Sequence, residues 1–276
     1  MLIARFAIQL FFVVASASAS FGDEEKLNLV GAFEQGGLVV GHSNPEAKVM
    51  MNGQNVRVFS DGRFLIGFGH EAGAEHDLLI HWPSGRLEIK TLFVNQRTYA
   101  IQRIEGVEQA KVTPPSSAST QITRETREIR AARSAETHDA LFDAGWIWPV
   151  SGRVTGVYGS QRVYNGNPGP PHWGIDIASP ANTPILAPSS GVVRLVHQNN
   201  FYAGGLVILD HGYGLTSSFL HMNTIDVNPG DIIRIGQRLG SVGSTGRSTG
   251  PHLDWRINLG PDLRLDAALL PLPVGP

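Results

Sequence analysis

The sequence predicts a mainly β protein: an N-terminal β-sandwich module, a linker with a polar helix, and a C-terminal antiparallel β domain. Three observations carry this expectation. Glycine supplies 32 of the 276 residues, well above the ~7% that is usual, and it is spread along the chain as frequent turns require. Apolar residues come in short runs bounded by Gly, Pro, Asn and Asp. A single stretch, Gln121 to Leu141, is dominated by the Arg, Glu and Ala of a polar helix.

Segment 1–19 carries Arg5, an apolar run from Phe6 to Ala15, and then Ala17-Ser18-Ala19. That order is the pattern of a cleaved signal peptide, and the apolar run is too short to span a bilayer. Export to the periplasm or the extracellular space is the expectation, with no stable membrane span after cleavage. Residues 24–107 then alternate runs and turns. Val49-Met50-Met51 and Val56-Arg57-Val58 flank Asn52-Gly53, a hairpin signal. Ser60-Asp61-Gly62 leads into Phe64-Leu65-Ile66, and Leu78-Leu79-Ile80 and Leu92-Phe93-Val94 follow at sandwich spacing. Trp82 and Phe68 are read as core aromatics.

Residues 108–143 form the linker. Its Pro/Ser/Thr-rich start, Thr113 to Thr120, precedes the polar helix, on which His138 is expected at the surface. From residue 144 to 270 the runs are glycine-bounded again: Gly191-Val192-Val193, Leu206 to Leu209, Ile232-Ile233 and Leu253 to Leu259. No long helical period interrupts them.

The formal net charge of −2 and the lack of any basic block leave no electrostatic footprint for nucleic acid. The absence of cysteine excludes disulfides, thiolate metal sites, a Cys nucleophile and a lipid-bearing Cys. Any metal must be held by His and carboxylates. Three segments of the C-terminal domain offer these: Pro171-His172-Trp173-Gly174-Ile175-Asp176, Ser218-Phe219-Leu220-His221 and Gly250-Pro251-His252-Leu253-Asp254-Trp255. A catalytic zinc takes three such ligands and leaves one position for water. His172 and Asp176 need a bend between them to reach one ion, which Pro170, Pro171 and Gly174 can supply. On a strand, His252, Asp254 and Arg256 share one face, and Leu253, Trp255 and Ile257 share the other. His197 and His211 have no carboxylate at ligand spacing and are read as structural.

These segments, with Pro180 to Ile185, Asn228-Pro229-Gly230-Asp231 and Gly243 to Pro251, closely resemble the lysostaphin-type (LytM-like) peptidoglycan metalloendopeptidases. The likeness runs from about Trp146 to Asn258. The N-terminal portion resembles bacterial Ig-like modules. The first resemblance implies a zinc-dependent endopeptidase acting on the stem peptides of peptidoglycan. It implies that His172 and Asp176 bind zinc, and that His221 and His252 flank the water and the scissile peptide. Where the family has the second histidine of H-x-H, this chain has Asp254, which is carried over as the third ligand. Phe219 stands where family members often place a phenol.

Two other readings arise. A non-catalytic LytM-like module that binds wall and activates other hydrolases, with cell-division or wall-hydrolase partners, is the alternative that Asp254 suggests. Gly246-Arg247-Ser248-Thr249-Gly250 matches a nucleophile elbow, but a strand-like segment follows where the elbow needs a helix.

Overall fold

The computed structural model describes residues 25–135 and 137–273. The expected signal peptide lies outside the described residues. Seven strands form the N-terminal part: β1 Asn28–Gly31, β2 Leu38–His42, β3 Lys48–Met51, β4 Gln54–Val56, β5 Arg63–Gly67, β6 Glu75–His81 and β7 Leu87–Phe93. They make two antiparallel sheets, β1-β2-β5 and β4-β3-β6-β7. Val39, Phe64, Ile66 and Phe68 from one sheet and its flank share a buried core with Val49, Leu78, Ile80 and Leu92 from the other. Asn52 and Gly53 join β3 to β4 with φ values of 50° and 78°, the paired left-handed conformation that a tight two-residue hairpin demands. Trp82 and Phe68 are buried, as expected of core aromatics.

β8, Ile101–Ile104, follows and pairs in parallel with a strand of the C-terminal part. The connection continues through α1, Gln109–Val112, and α2, Ser119–Arg133. Ile129 and Ala132 of α2 pack on Leu206, Ile208 and Leu220, and Glu128 reaches His197 at 3.1 Å. His197 is therefore a tie between helix and sheet. The helix stops at Arg133, short of the expected Leu141. Beyond it the backbone carbonyl of Thr137 accepts from Tyr213 at 2.9 Å and its hydroxyl donates to Asp210 at 2.5 Å, so tertiary pairing outweighs helical propensity. His138 lies in this irregular stretch, 3.3 Å from the Arg57 guanidinium.

The C-terminal strands are β9 Arg153–Gly156, β10 Gln161–Tyr164, β11 Asn167–Pro171, β12 Ile175–Ala178, β13 Pro184–Leu186 and β14 Gly191–Asn200. They continue with β15 Gly204–Gly212, β16 Leu215–Ile225, β17 Ile232–Ile233, β18 Arg238–Val242, β19 His252–Leu259 and β20 Leu263–Leu265. The main sheet runs β17-β14-β15-β16-β19-β12-β9. β8 pairs with β10 of the β10–β11 hairpin. Leu253, Trp255 and Ile257 of β19 are fully buried in the main core, which is the face alternation expects them on. Among the described residues no helix is long and apolar enough to cross a membrane.

The two parts are packed together. Phe59 stacks on Tyr213 at 3.5 Å, Arg97 pairs with buried Asp266 at 2.7 Å, and Arg63 pairs with Asp143 at 2.7 Å. His70 meets Trp173 edge-on at 5.6 Å and its Nε2 lies 3.1 Å from the Gly159 carbonyl. The N-terminal sheets thus buttress the loop that follows β11.

His211 is structural, as expected, but it sits within β15 and is fully buried. Its Nδ1 donates to the Ser190 carbonyl at 2.7 Å, so the neutral ring accepts at Nε2 from the Ser217 hydroxyl at 2.7 Å. Burial pulls its pKa from 6.5 down to about 4, partly opposed by the Ser190 bond and Asp210. Between those values the unfolded chain binds a proton that the folded chain refuses. Stability therefore falls as pH falls through this window, by on the order of 2–3 kcal/mol between pH 7 and pH 4.5. Urea titrations at the two pH values check this: His211→Gln should lose less than the wild type over the same interval, and equal losses contradict it.

Candidate metal centre

Asp176 and Asp254 are directly opposite each other in the antiparallel register of β12 and β19. Residues so paired have Cα atoms only about 4.5–5.5 Å apart, and like charges there repel. Both carboxylates are nonetheless buried, Asp254 at 0% exposure and Asp176 at 6%. His172 follows β11, and the turn through Trp173 and Gly174 brings its Nε2 to 3.1 Å from Asp176 Oδ1. That approach lacks hydrogen-bond geometry, so both atoms are buried polar groups without a partner. Two buried ligand atoms 3.1 Å apart, neither with a hydrogen-bond partner among the described residues, describe a site for a cation.

His172, Asp176 and Asp254 offer ligand atoms that all lie within 4.8 Å of one another. Atoms bonded to one zinc at about 2.0–2.2 Å are at most about 4.4 Å apart, so a small side-chain adjustment gathers them around one ion. Two glycines make room. A Cβ on Gly174 would come within 2.5 Å of Asp254 Oδ1 and 2.6 Å of the Trp255 carbonyl. A Cβ on Gly156 would come within 2.4 Å of Asp176 Oδ2. The residues present fit a divalent metal.

Each carboxylate is backed by an arginine. Arg162 Nη2 donates to Asp176 Oδ2, and Arg256 clasps Asp254 with Nη2 at 2.6 Å and Nε at 2.9 Å. Burial alone would raise both carboxyl pKa values. His172 and then Arg162 outweigh it at Asp176, and Arg256 and His172 outweigh it at Asp254, so both are held below the usual carboxylate range. Both carboxylates are thus ionised at neutral pH. The guanidinium on Asp254 also competes with a metal for its oxygens.

His221 and His252 stand side by side, ring centroids 4.8 Å apart. His221 Nδ1 donates to the Thr245 carbonyl at 2.7 Å, and His252 Nδ1 donates to the Gly250 carbonyl at 2.8 Å. Each Nδ1 is thus committed to a carbonyl and each Nε2 is left facing the site, that of His252 lying 3.8 Å from Asp176 Oδ1. Burial, with His252 adding to it, lowers the His221 pKa to about 4. His221 has φ of 64°, rare for a residue with a side chain and a mark of imposed strain. Phe219 is buried in the main core, and strict alternation would point His221 the same way. The left-handed backbone turns it instead into the cavity lined by Leu220.

That cavity, about 530 Å³, reaches Asp254 and His221; a second of about 250 Å³ reaches Asp176 and His252. Arg162, Tyr164 and Arg247 line both. The two cavities thus approach the cluster from Asp254 and from Asp176 respectively. Ser248 sits in a loop, its hydroxyl donating to the Gly250 carbonyl at 2.8 Å, and the elbow geometry of a serine hydrolase is absent there.

All five expected site residues converge. Sequence reasoning missed Arg162, Gly156 and Thr245, which come from separate segments with no periodic signal. Arg256 was visible as the residue sharing a strand face with Asp254.

A buried His/Asp/Asp ligand cluster with two adjacent imidazoles on an antiparallel β-sheet points to the metallopeptidase class. Comparison with known proteins agrees. The sequence model of Peptidase family M23 matches residues 170–263. The chain is 41% identical over 87 residues to the peptidoglycan DD-endopeptidase ShyA of Vibrio cholerae, covering 32% of this chain and 20% of that protein. It is 32% identical over 109 residues to ShyB of the same organism, covering 40% and 22%. The chain thus spans about a fifth of the length of these curated relatives. A Pseudomonas aeruginosa crystal structure described as a "putative peptidase M23" superposes with a TM-score of 0.65 at 28% identity, covering 86% of this chain and 94% of that one. Residues 170–263 thus match the M23 peptidase family, and the fold is that of the Pseudomonas aeruginosa structure.

Proposed function

We propose that the chain is an exported zinc endopeptidase that hydrolyses the peptide cross-bridges of bacterial peptidoglycan. The observation that supports it most is the convergence of His172, Asp176 and Asp254 beside two imidazoles with bare Nε2 atoms. The peptidoglycan specificity of ShyA and ShyB, as their names give it, supports the substrate class. The pattern of residues 1–19 supports export. The N-terminal sheets are read as an Ig-like support for the loop carrying His172, with domain limits at 24–107, 108–143 and 144–270.

His172, Asp176 and Asp254 would hold the ion, and zinc bound there supplies Lewis acidity toward a peptide carbonyl and toward water. His221 is neutral and held by Thr245, so its Nε2 accepts the proton of the attacking water. The proton His221 has taken up at Nε2 passes to the departing amine, and the His252 Nε2, turned to the site by the Nδ1 contact with Gly250, donates when it carries a proton to the oxygen that gains charge. The left-handed backbone at His221 fixes the aim of that base before substrate arrives.

Mass spectrometry of fragments released from purified sacculi tests the reading. Zinc-loaded protein should convert cross-linked fragments into monomers, chelator should stop the conversion, and added zinc should restore it. Stoichiometric zinc with no release from any sacculus would contradict hydrolysis and leave the wall-binding activator role, which the Arg256 clasp on Asp254 favours.

A further inference from the structure

The larger cavity, lined by residues of α2 and by Asp254 of the interior strand β19, carries six arginines: Arg130, Arg133, Arg162, Arg247, Arg256 and Arg264. Its three acids are already engaged. Asp262 pairs with Arg130, Asp254 with Arg256, and Glu125 accepts from the Gln121 side chain and the Phe201 backbone. Arg162 is committed to Asp176. Arg247 lies over the rings of Tyr164 and Tyr202, at 4.4 and 4.9 Å.

Arg133 and Arg264 remain with no carboxylate partner among the described residues. Arg133 is 5% exposed; its Nη2 donates to the Ser218 hydroxyl at 3.2 Å, and its Nε has no partner among the described residues. Arg264 donates only to the neutral Asn258 side chain, at 3.1 Å. Burial and the neighbouring Arg264 and Arg256 pull the Arg133 pKa well down, and burial and Arg256 lower that of Arg264 to about 10. A buried guanidinium without a counter-ion is costly. The cavity volume is that of a small-ligand site, and His221 opens onto the same space.

We propose that this cavity is a carboxylate subsite, in which Arg133 and Arg264 receive a carboxylate of the peptide whose nearby bond is cut at the metal centre. The planar fork of arginine matches a carboxylate in two parallel hydrogen bonds. The subsite rests on the peptidase reading only for the identity of the peptide. The carboxylate comes either from the chain terminus or from a side chain of the substrate, and the two are separable by chemistry.

The test uses the zinc-loaded full chain and three forms of one cross-linked peptide isolated from sacculi: unmodified, amidated at its terminal carboxylates, and amidated at its side-chain carboxylates. One amidation should lower kcat/KM by about 10- to 100-fold, the worth of charge-assisted bonds. Arg264→Gln should cleave that amide and the parent nearly alike. Because Arg133→Gln could fail to fold, calorimetric binding of the same peptides to the metal-free full chain provides a second readout. Tighter binding of the carboxylate form without any cleavage would support the subsite and remove the peptidase reading. Cleavage and binding indifferent to both amidations, within twofold, overturn the subsite and leave hydrolysis standing.

Discussion

Replacing His172 with alanine is expected to remove metal retention and, with it, the proposed wall hydrolysis. His172 is 2% exposed, supplies the only imidazole of the ligand cluster, and has no hydrogen-bond partner for Nε2 among protein atoms. Deleting it leaves two carboxylates, each already shared with an arginine. Loss of a residue beside a metal ligand weakens binding about 10–100-fold, so loss of a ligand itself should exceed that. Metal analysis after gel filtration, alongside release of fragments from sacculi, checks the result. A His172→Ala protein that keeps stoichiometric zinc would refute the ligand assignment.

His221→Ala should separate the two properties. The side chain faces the cavity and contributes no atom to the ligand cluster, so the metal stays. The base is lost, and kcat should fall by about 10²- to 10⁴-fold, the contribution of positioned proton transfer. Alanine carries the same Cβ as histidine, so the cost of the 64° φ is unchanged by the substitution. Thermal melts and zinc content equal to wild type, with kcat collapsed, is the expected triad of observations. Full activity in His221→Ala would place the base elsewhere.

The sequence disclosed most of this site because its chemistry is carried by short motifs. His172-x-x-x-Asp176 needed only a turn, and Gly174 both makes the turn and yields space to Asp254. The alternation of His252 to Ile257 foretold which face of β19 enters the core. Charge balance was illegible. Arg162 reaches Asp176 from β10, two strands in sequence away, and Arg133 and Arg264 meet across a cavity that only α2's docking creates. The end of α2 was also illegible, since Thr137 is drawn off by Tyr213 and Asp210, contacts distant along the chain.

The exchange of histidine for Asp254 acquires a physical account from these contacts. A second carboxylate opposite Asp176 adds negative charge in a buried place, and Arg256 on the same strand face neutralises it. The pair balances the buried Asp254 charge, and the guanidinium would yield part of its hold if a metal took an Asp254 oxygen.

X-ray absorption at the zinc edge of the zinc-loaded full chain tests the central claim most directly. One imidazole nitrogen and at least two carboxylate oxygens at about 2.0–2.2 Å is the shell that His172, Asp176 and Asp254 require. Two or more imidazoles around the ion, or no stoichiometric zinc to observe, would contradict it.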